Sequence, residues 1–165
     1  MDYFEINGLK KLNGLVEVSG AKYAVLPLMA AAILNRGNIK ISNVPTLSDS
    51  ITMSKLLEEM GAKVQFSSNN SISVDSSNLN KPFAPYDLVK TMRASFYVLG
   101  PLIARFGEAK VSLPGGCAWG PRPVDFHLDG LKALGVKISD AINNGYEKSP
   151  SDMPSSISFF PLALF

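Results

Sequence analysis

At 165 residues with 46% hydrophobic content, the chain has the length of one ordinary domain and enough apolar residues to bury a core, which excludes an intrinsically disordered protein. Only 18% of residues are charged, and Lys plus Arg outnumber Asp plus Glu by 16 to 14, so no polyelectrolyte face demands nucleic acid or an anionic membrane. One cysteine cannot close an internal disulfide, Met1-Asp2-Tyr3-Phe4-Glu5 is no secretion signal, and the longest apolar run, residues 23–34, is too short to span roughly 30 Å of hydrocarbon, so the expectation is a soluble, cytoplasmic protein.

Residues 15–18 read as a short strand. Residues 23–34 are apolar nearly all the way round despite Pro27, which predicts a helix enclosed on every side. Asn35-Arg36-Gly37 closes it ahead of the alternating Ile39-Lys40-Ile41. Met53, Leu56, Leu57 and Met60 then follow the spacing of one helical stripe, with Lys55, Glu58 and Glu59 on the wet side. The phrase Met60-Gly61-Ala62-Lys63-Val64 places a glycine at the helix C-cap before the next strand, and residues 71–74 read as another strand.

The same kinds of element recur. Residues 94–104 predict a second enclosed helix, closed by Arg105-Phe106-Gly107 ahead of Ala109-Lys110-Val111. Val124, Leu128 and Leu131 mark a fourth helix, followed by Leu134-Gly135-Val136-Lys137-Ile138. The order predicts an internal repeat of about 70 residues; the alternative is two generic α/β units sharing turn chemistry. Beyond Asp140 the character changes. Asn143-Asn144-Gly145 is a turn, and the Ser- and Pro-rich tail ends in the uncharged residues 157–165, where no helix or strand period survives. An apolar end of this kind is expected of a truncated product and is an aggregation hazard.

Both enclosed helices begin with a cation, Lys22 after Ser19-Gly20-Ala21 and Arg93 after Lys90-Thr91-Met92, where the helix dipole disfavours positive charge. Something anionic should compensate. Helix-start amides with a Lys or Arg suit a ligand bearing more than one anionic group; the alternative is that both side chains extend to solvent. Residues 114–123 hold three glycines and three prolines, a constrained loop with Cys117 at its centre and Arg122 near enough in sequence to lower the thiol pKa. That thiol could serve as general acid or nucleophile, or be a small buried apolar group. Pro123 suits a first helical turn, Asp125 could be only a capping charge, and His127 shares the stripe of Val124 and Leu128, as a core-edge residue or a ligand contact. No zinc-ligand spacing, Ser-His-Asp arrangement, dinucleotide fingerprint or Walker loop is present.

The phrases SGAK at residues 19–22, APYDLVKTMRAS at 84–95, VSLPGGC at 111–117 and RPVDFH at 122–127 together closely resemble the amino-terminal part of the bacterial UDP-N-acetylglucosamine enolpyruvyl transferases. The resemblance implies transfer of the enolpyruvyl group of phosphoenolpyruvate to the 3-hydroxyl of UDP-N-acetylglucosamine with release of phosphate, the first committed step of peptidoglycan synthesis, without a cofactor or metal. It implies an inside-out α/β barrel of βαβα repeats with enclosed helices, incomplete here. Lys22 and Arg122 would hold phosphoenolpyruvate. Cys117 would protonate its methylene carbon, bond to it covalently, and be alkylated by fosfomycin. Arg93 would line the substrate cleft, and Arg122, Pro123, Val124, Asp125, Phe126 and His127 would contact the uridine nucleotide. Tyr23 departs from the family, which has asparagine at this substrate-touching position, so its ring would block or reshape the pocket. The related shikimate-pathway transferase is not expected to carry the Cys117 loop.

The resemblance fades after about Tyr146. It implies that residues 1–21 are a strand segment belonging to a second domain, that residues 22–146 are about two repeats of the first domain, and that residues 147–165 are a divergent, disordered tail. The family's base for the sugar hydroxyl and its further phosphoenolpyruvate-clamping arginines are not found, so the chain alone is expected to be inactive unless a separate chain carries the missing domain. The other reading is a non-enzymatic remnant that binds uridine nucleotide weakly.

Overall fold

In a computed structural model that describes residues 3–8, 11–112, 124–140 and 156–161, the chain builds two units, one after the other, that share a strand-helix-strand-strand order. Residues 11–20 have no regular secondary structure and, among the described residues, join no ladder, so the strand expected at 15–18 has no partner; Leu15, Val16 and Val18 are exposed.

Helix α1 (Lys22–Ala31) tightens into a 3-10 turn (Ala32–Leu34). It buries Val25, Leu26, Met29, Ala30, Ala32 and Ile33 on one side, yet Tyr23 is 82%, Leu28 52% and Leu34 54% exposed on the other. The sequence predicts enclosure all round; the structure covers one side. The reason is that α1 packs chiefly on α2 (Ser48–Glu59) and a 3-10 segment (Arg93–Val98), and among the described residues its outer side at Tyr23, Leu28 and Leu34 stays exposed.

The amphipathic reading of α2 holds in detail. Met53, Leu56, Leu57 and Met60 are fully buried while Lys55, Glu58 and Glu59 are exposed, a 3.6-residue stripe against the core. Its end is a Schellman motif: Gly61 N–H donates to Glu58 O at 2.9 Å and Ala62 N–H to Leu57 O at 3.0 Å, with Gly61 at φ +104°. Met60 is thus the cap and the glycine stands one position beyond it.

Strands β1 (Asn38–Ile41), β2 (Lys63–Ser67) and β3 (Ser71–Asp75) form an antiparallel sheet in the order β1-β3-β2. A three-residue loop with Asn70 at φ +52° joins β2 to β3, where a left-handed residue lets a short hairpin close. The second unit begins with β4 (Phe83–Ala84) and a single-turn α3 (Tyr86–Val89), which the sequence does not signal by any period. The 3-10 segment Arg93–Val98 leads into α4 (Leu99–Phe106), then β5 (Ala109–Ser112), α5 (Asp125–Ala133), β6 (Val136–Asp140) and β7 (Ser156–Pro161).

β7 corrects the reading of the tail. The sheet order β4-β5-β7-β6 inserts it antiparallel between β5 and β6, as β3 is inserted between β1 and β2. The register repeats as well: Ser73 lies opposite Lys40 and Ile72 opposite Ile41, while Ser158 lies opposite Lys110 and Ile157 opposite Val111. Ser71-Ile72-Ser73 and Ser156-Ile157-Ser158 are the same tripeptide at the same station. Its alternation is broken by Phe159-Phe160-Pro161, and the strand is legible only by comparison with its counterpart.

One continuous core runs through both units, with Leu26, Met29, Ile33, Met53, Ile72, Leu99 and Leu102 among its most deeply buried members. Arg105 of α4 fastens the units together. Its Nη1 donates to Ile33 O at 2.7 Å and Asn35 O at 2.9 Å, and its Nη2 to Ser76 O at 2.8 Å, so one guanidinium satisfies carbonyls at the end of the first helix and just beyond β3. Burial, and secondarily the neighbouring Arg36 charge, push its pKa down.

Candidate functional site

The segment before α1 is held by a close backbone approach. Gly20 N–H donates to Asn43 Oδ1 at 3.0 Å, and Asn43 takes the left-handed conformation at φ +54°. Ala21 is the N-cap in extended conformation and, among the described residues, no side chain caps the turn it opens, so Lys22 enters as the first helical residue with the positive end of the dipole behind it.

The compensating negative charge expected from the sequence is present within the protein. Lys22 Nζ lies 2.5 Å from Asp49 Oδ2, with the two side chains 44% and 26% exposed. Asp49 is the acidic residue in the first turn of α2, where a carboxylate is favoured. Sequence reasoning missed it because the pairing joins two helix starts 27 positions apart; Ser48-Asp49 at a helix N-terminus was the only local signal.

Tyr23 projects into solvent, its ring unsupported by packing. Arg93 is exposed as the first residue of the 3-10 segment that packs against α1, so the two predicted cations do open neighbouring elements. Val124 is the buried N-cap of α5, and Asp125 supplies negative charge in its first turn without a side-chain cap being formed. Phe126 is 85% exposed, and His127 is also exposed, its ring tilted 48° to that of Phe96 at 6.0 Å between centroids. Cys117, Arg122 and Pro123 lie outside the described residues.

Between α5 and the segment 96–100 there is a cleft of about 400 Å³, apolar for most of its surface, with Phe96, Tyr97, Phe126, His127 and Leu131 in its walls. It brings Phe126 and His127 together with aromatic rings of the other segment. Lys22, Tyr23, Arg93 and Asp125 are not part of this lining. Among the described residues no cluster of His, Cys, Asp or Glu has the makings of a metal site, and no helix is long and apolar enough to cross a membrane.

Comparison with known structures gives the class: the fold is that of an enolpyruvyl transferase. A solved structure of the enolpyruvyl transferase NikO from Streptomyces tendae superposes with a TM-score of 0.69 at 24% identity, covering 91% of this chain and 30% of that one. Residues 6–153 match the family described as EPSP synthase (3-phosphoshikimate 1-carboxyvinyltransferase), and the chain belongs to that family. Within it, the chain is 56% identical over 138 residues to the UDP-N-acetylglucosamine 1-carboxyvinyltransferase of Dichelobacter nodosus, which covers 84% of this chain and 33% of the relative. The proteins of the same name from Campylobacter hominis and Pectobacterium carotovorum are 51% and 53% identical, over 88% and 92% of this chain and 34% and 35% of theirs. The chain therefore spans about a third of the length of the curated relatives it matches.

Proposed function

We propose that the chain carries part of the active site of a UDP-N-acetylglucosamine 1-carboxyvinyltransferase, which moves the enolpyruvyl group of phosphoenolpyruvate onto the sugar 3-hydroxyl and releases phosphate. The observation that carries this reading is the identity of 51–56% to relatives of that name, rather than of the shikimate enzyme that names the family. The place of the reaction is peptidoglycan synthesis in the cytoplasm, and so cell-wall growth, cell shape and division.

In this reading Lys22 and Arg122 bind the anionic groups of phosphoenolpyruvate, Cys117 delivers a proton to its methylene carbon, and Arg93 lines the substrate cleft. Residues 122–127 hold the uridine nucleotide. The start of α1, which no side chain caps among the described residues, and the lysine that opens it support the first assignment. The aromatic cleft beside Phe126 and His127 supports the last. Tyr23 stands next to Lys22 with an exposed ring, which fits a side chain free to reshape the entrance.

A second reading, weak uridine-nucleotide binding without turnover, is favoured by the cleft itself, which takes in Phe126 and His127 but not Lys22 or Arg93. Intact mass after incubation with fosfomycin and UDP-N-acetylglucosamine tests the first: one adduct, lost in Cys117→Ser, supports it, and an unmodified mass counts against it. Phosphate release from the chain with both substrates separates the two readings, because any sustained turnover eliminates the second.

A further inference from the structure

Resting on the reading of Lys22 as an anion-binding residue, we propose that Asp49 decides which anions Lys22 accepts. The starts of α1 and α2 meet at this pair. Each contributes the partial positive charge of a helix N-terminus, and Lys22 adds a full one. The Asp49 carboxylate sits on Nζ and fills the place that a ligand anion would take. An incoming anion must displace it or share the ammonium group, which has three donors. A monocarboxylate offers the same charge and the same acceptor atoms as Asp49, so it gains nothing by the exchange. A phosphoryl dianion brings twice the charge and a third oxygen, and it can use the α1 amides at the same time. Asp49 thus filters by charge: it excludes carboxylate-sized monoanions and admits phosphoryl groups.

The test follows the amide signals of Ala21, Lys22 and Tyr23 in the 15N-labelled 165-residue chain during titration with inorganic phosphate, at a pH where it is a dianion, and with acetate. The variants are Asp49→Asn, Asp49→Ser and Lys22→Ala; the serine variant keeps a small polar group in the first turn of α2 and guards against loss of fold. The wild-type chain should respond to phosphate and not to acetate. Both Asp49 variants should bind phosphate about threefold to fivefold more tightly, in line with removal of one partly exposed ion-pair partner, and should respond to acetate. Lys22→Ala should abolish both responses. Phosphate binding unchanged or weakened in the Asp49 variants, but still dependent on Lys22, overturns the filter and leaves the anion role of Lys22 standing. Binding indifferent to Lys22→Ala, or no phosphate response in any variant, overturns both.

Discussion

Gly20 and Asn43 are in contact so close that a side chain at position 20 forces one of the two segments to move: a Cβ there would collide with the Asn43 carbonyl oxygen. Two responses are open to Gly20→Ala. Pushing the Asn43 turn away would disturb the packed start of α2, whereas swinging the exposed arm of residues 11–20 outward forfeits one hydrogen bond, from Gly20 N–H to Asn43 Oδ1. That bond is worth about 1 kcal/mol, so the arm yields first. The expected outcome is a loss of no more than about 1 kcal/mol in denaturant unfolding, with much faster hydrogen exchange at Gly20 and a weaker Lys22–Asp49 pairing.

Arg105→Ala should be far more costly. It leaves the carbonyls of Ile33, Asn35 and Ser76 without their shared donor, at the place where α4 of the second unit meets the end of the first helix. Charge-assisted bonds to partly buried carbonyls predict a loss of about 2 to 3 kcal/mol. Arg105→Lys should recover less than half, because a point charge cannot reach both helix-end carbonyls and Ser76 at once. Urea unfolding of the three proteins measures it, and equal stability of the Lys variant and wild type would refute the fork geometry.

What the sequence makes legible is local. The stripe of Met53, Leu56, Leu57 and Met60 specifies α2 because helical period and burial coincide there, and strands β1, β2, β3, β5 and β6 follow their alternating residues and flanking turns. Lys22 and Arg93 do open their elements, as their positions before apolar runs predict. The rest depends on the tertiary fold. Gly20 meets Asn43 and Lys22 meets Asp49 across more than twenty residues, and no period in either segment encodes the partner. Residues 23–34 are apolar all round, but composition sets only what a helix would bury, and here Tyr23, Leu28 and Leu34 face outward. β7 hides in a Ser- and Pro-rich stretch and declares itself through its pairing with β5 and β6. The expected meeting of Cys117 and Lys22 at one substrate falls on residues outside those described.

Gly61 and Gly135 occupy the same station in the two units, at φ +104° and +87°, but their surroundings differ. A Cβ at Gly61 would meet Asn78 O at 2.9 Å and Asn80 Oδ1 at 3.2 Å, whereas one at Gly135 meets nothing within 4 Å among the described residues. The loop over Gly61 cannot retreat freely, since Asn80 and Lys81 N–H groups both donate to Met60 O. Gly135→Ala should therefore cost only the left-handed backbone penalty of about 1 to 2 kcal/mol. Gly61→Ala should cost about 1 to 2 kcal/mol more through the clash. Thermal unfolding of both variants measures the difference, and equal losses would show that the two caps are packed alike.

Asp75 ends β3 with its carboxylate accepting from Ser77 Oγ at 2.6 Å and from Ser77 N–H at 3.0 Å, bonds that hold its pKa below the ordinary carboxylate value, with a smaller contribution from Lys63 opposite it on β2. Because the folded pKa is the lower one, the stabilisation is fully present above the unfolded value of about 3.9 and is lost as pH falls through the folded pKa. Asp75→Asn keeps an acceptor oxygen for Ser77 but carries no charge to protonate. Its stability should consequently fall less than that of the wild type below pH of about 4, while near neutrality the wild type should be slightly the more stable of the two. The residue is only partly covered and its carboxylate is screened by solvent, so the effect is small. Urea midpoints of both proteins across the acid range measure it, and parallel curves would show that the turn at Ser77 does not depend on the charge of Asp75.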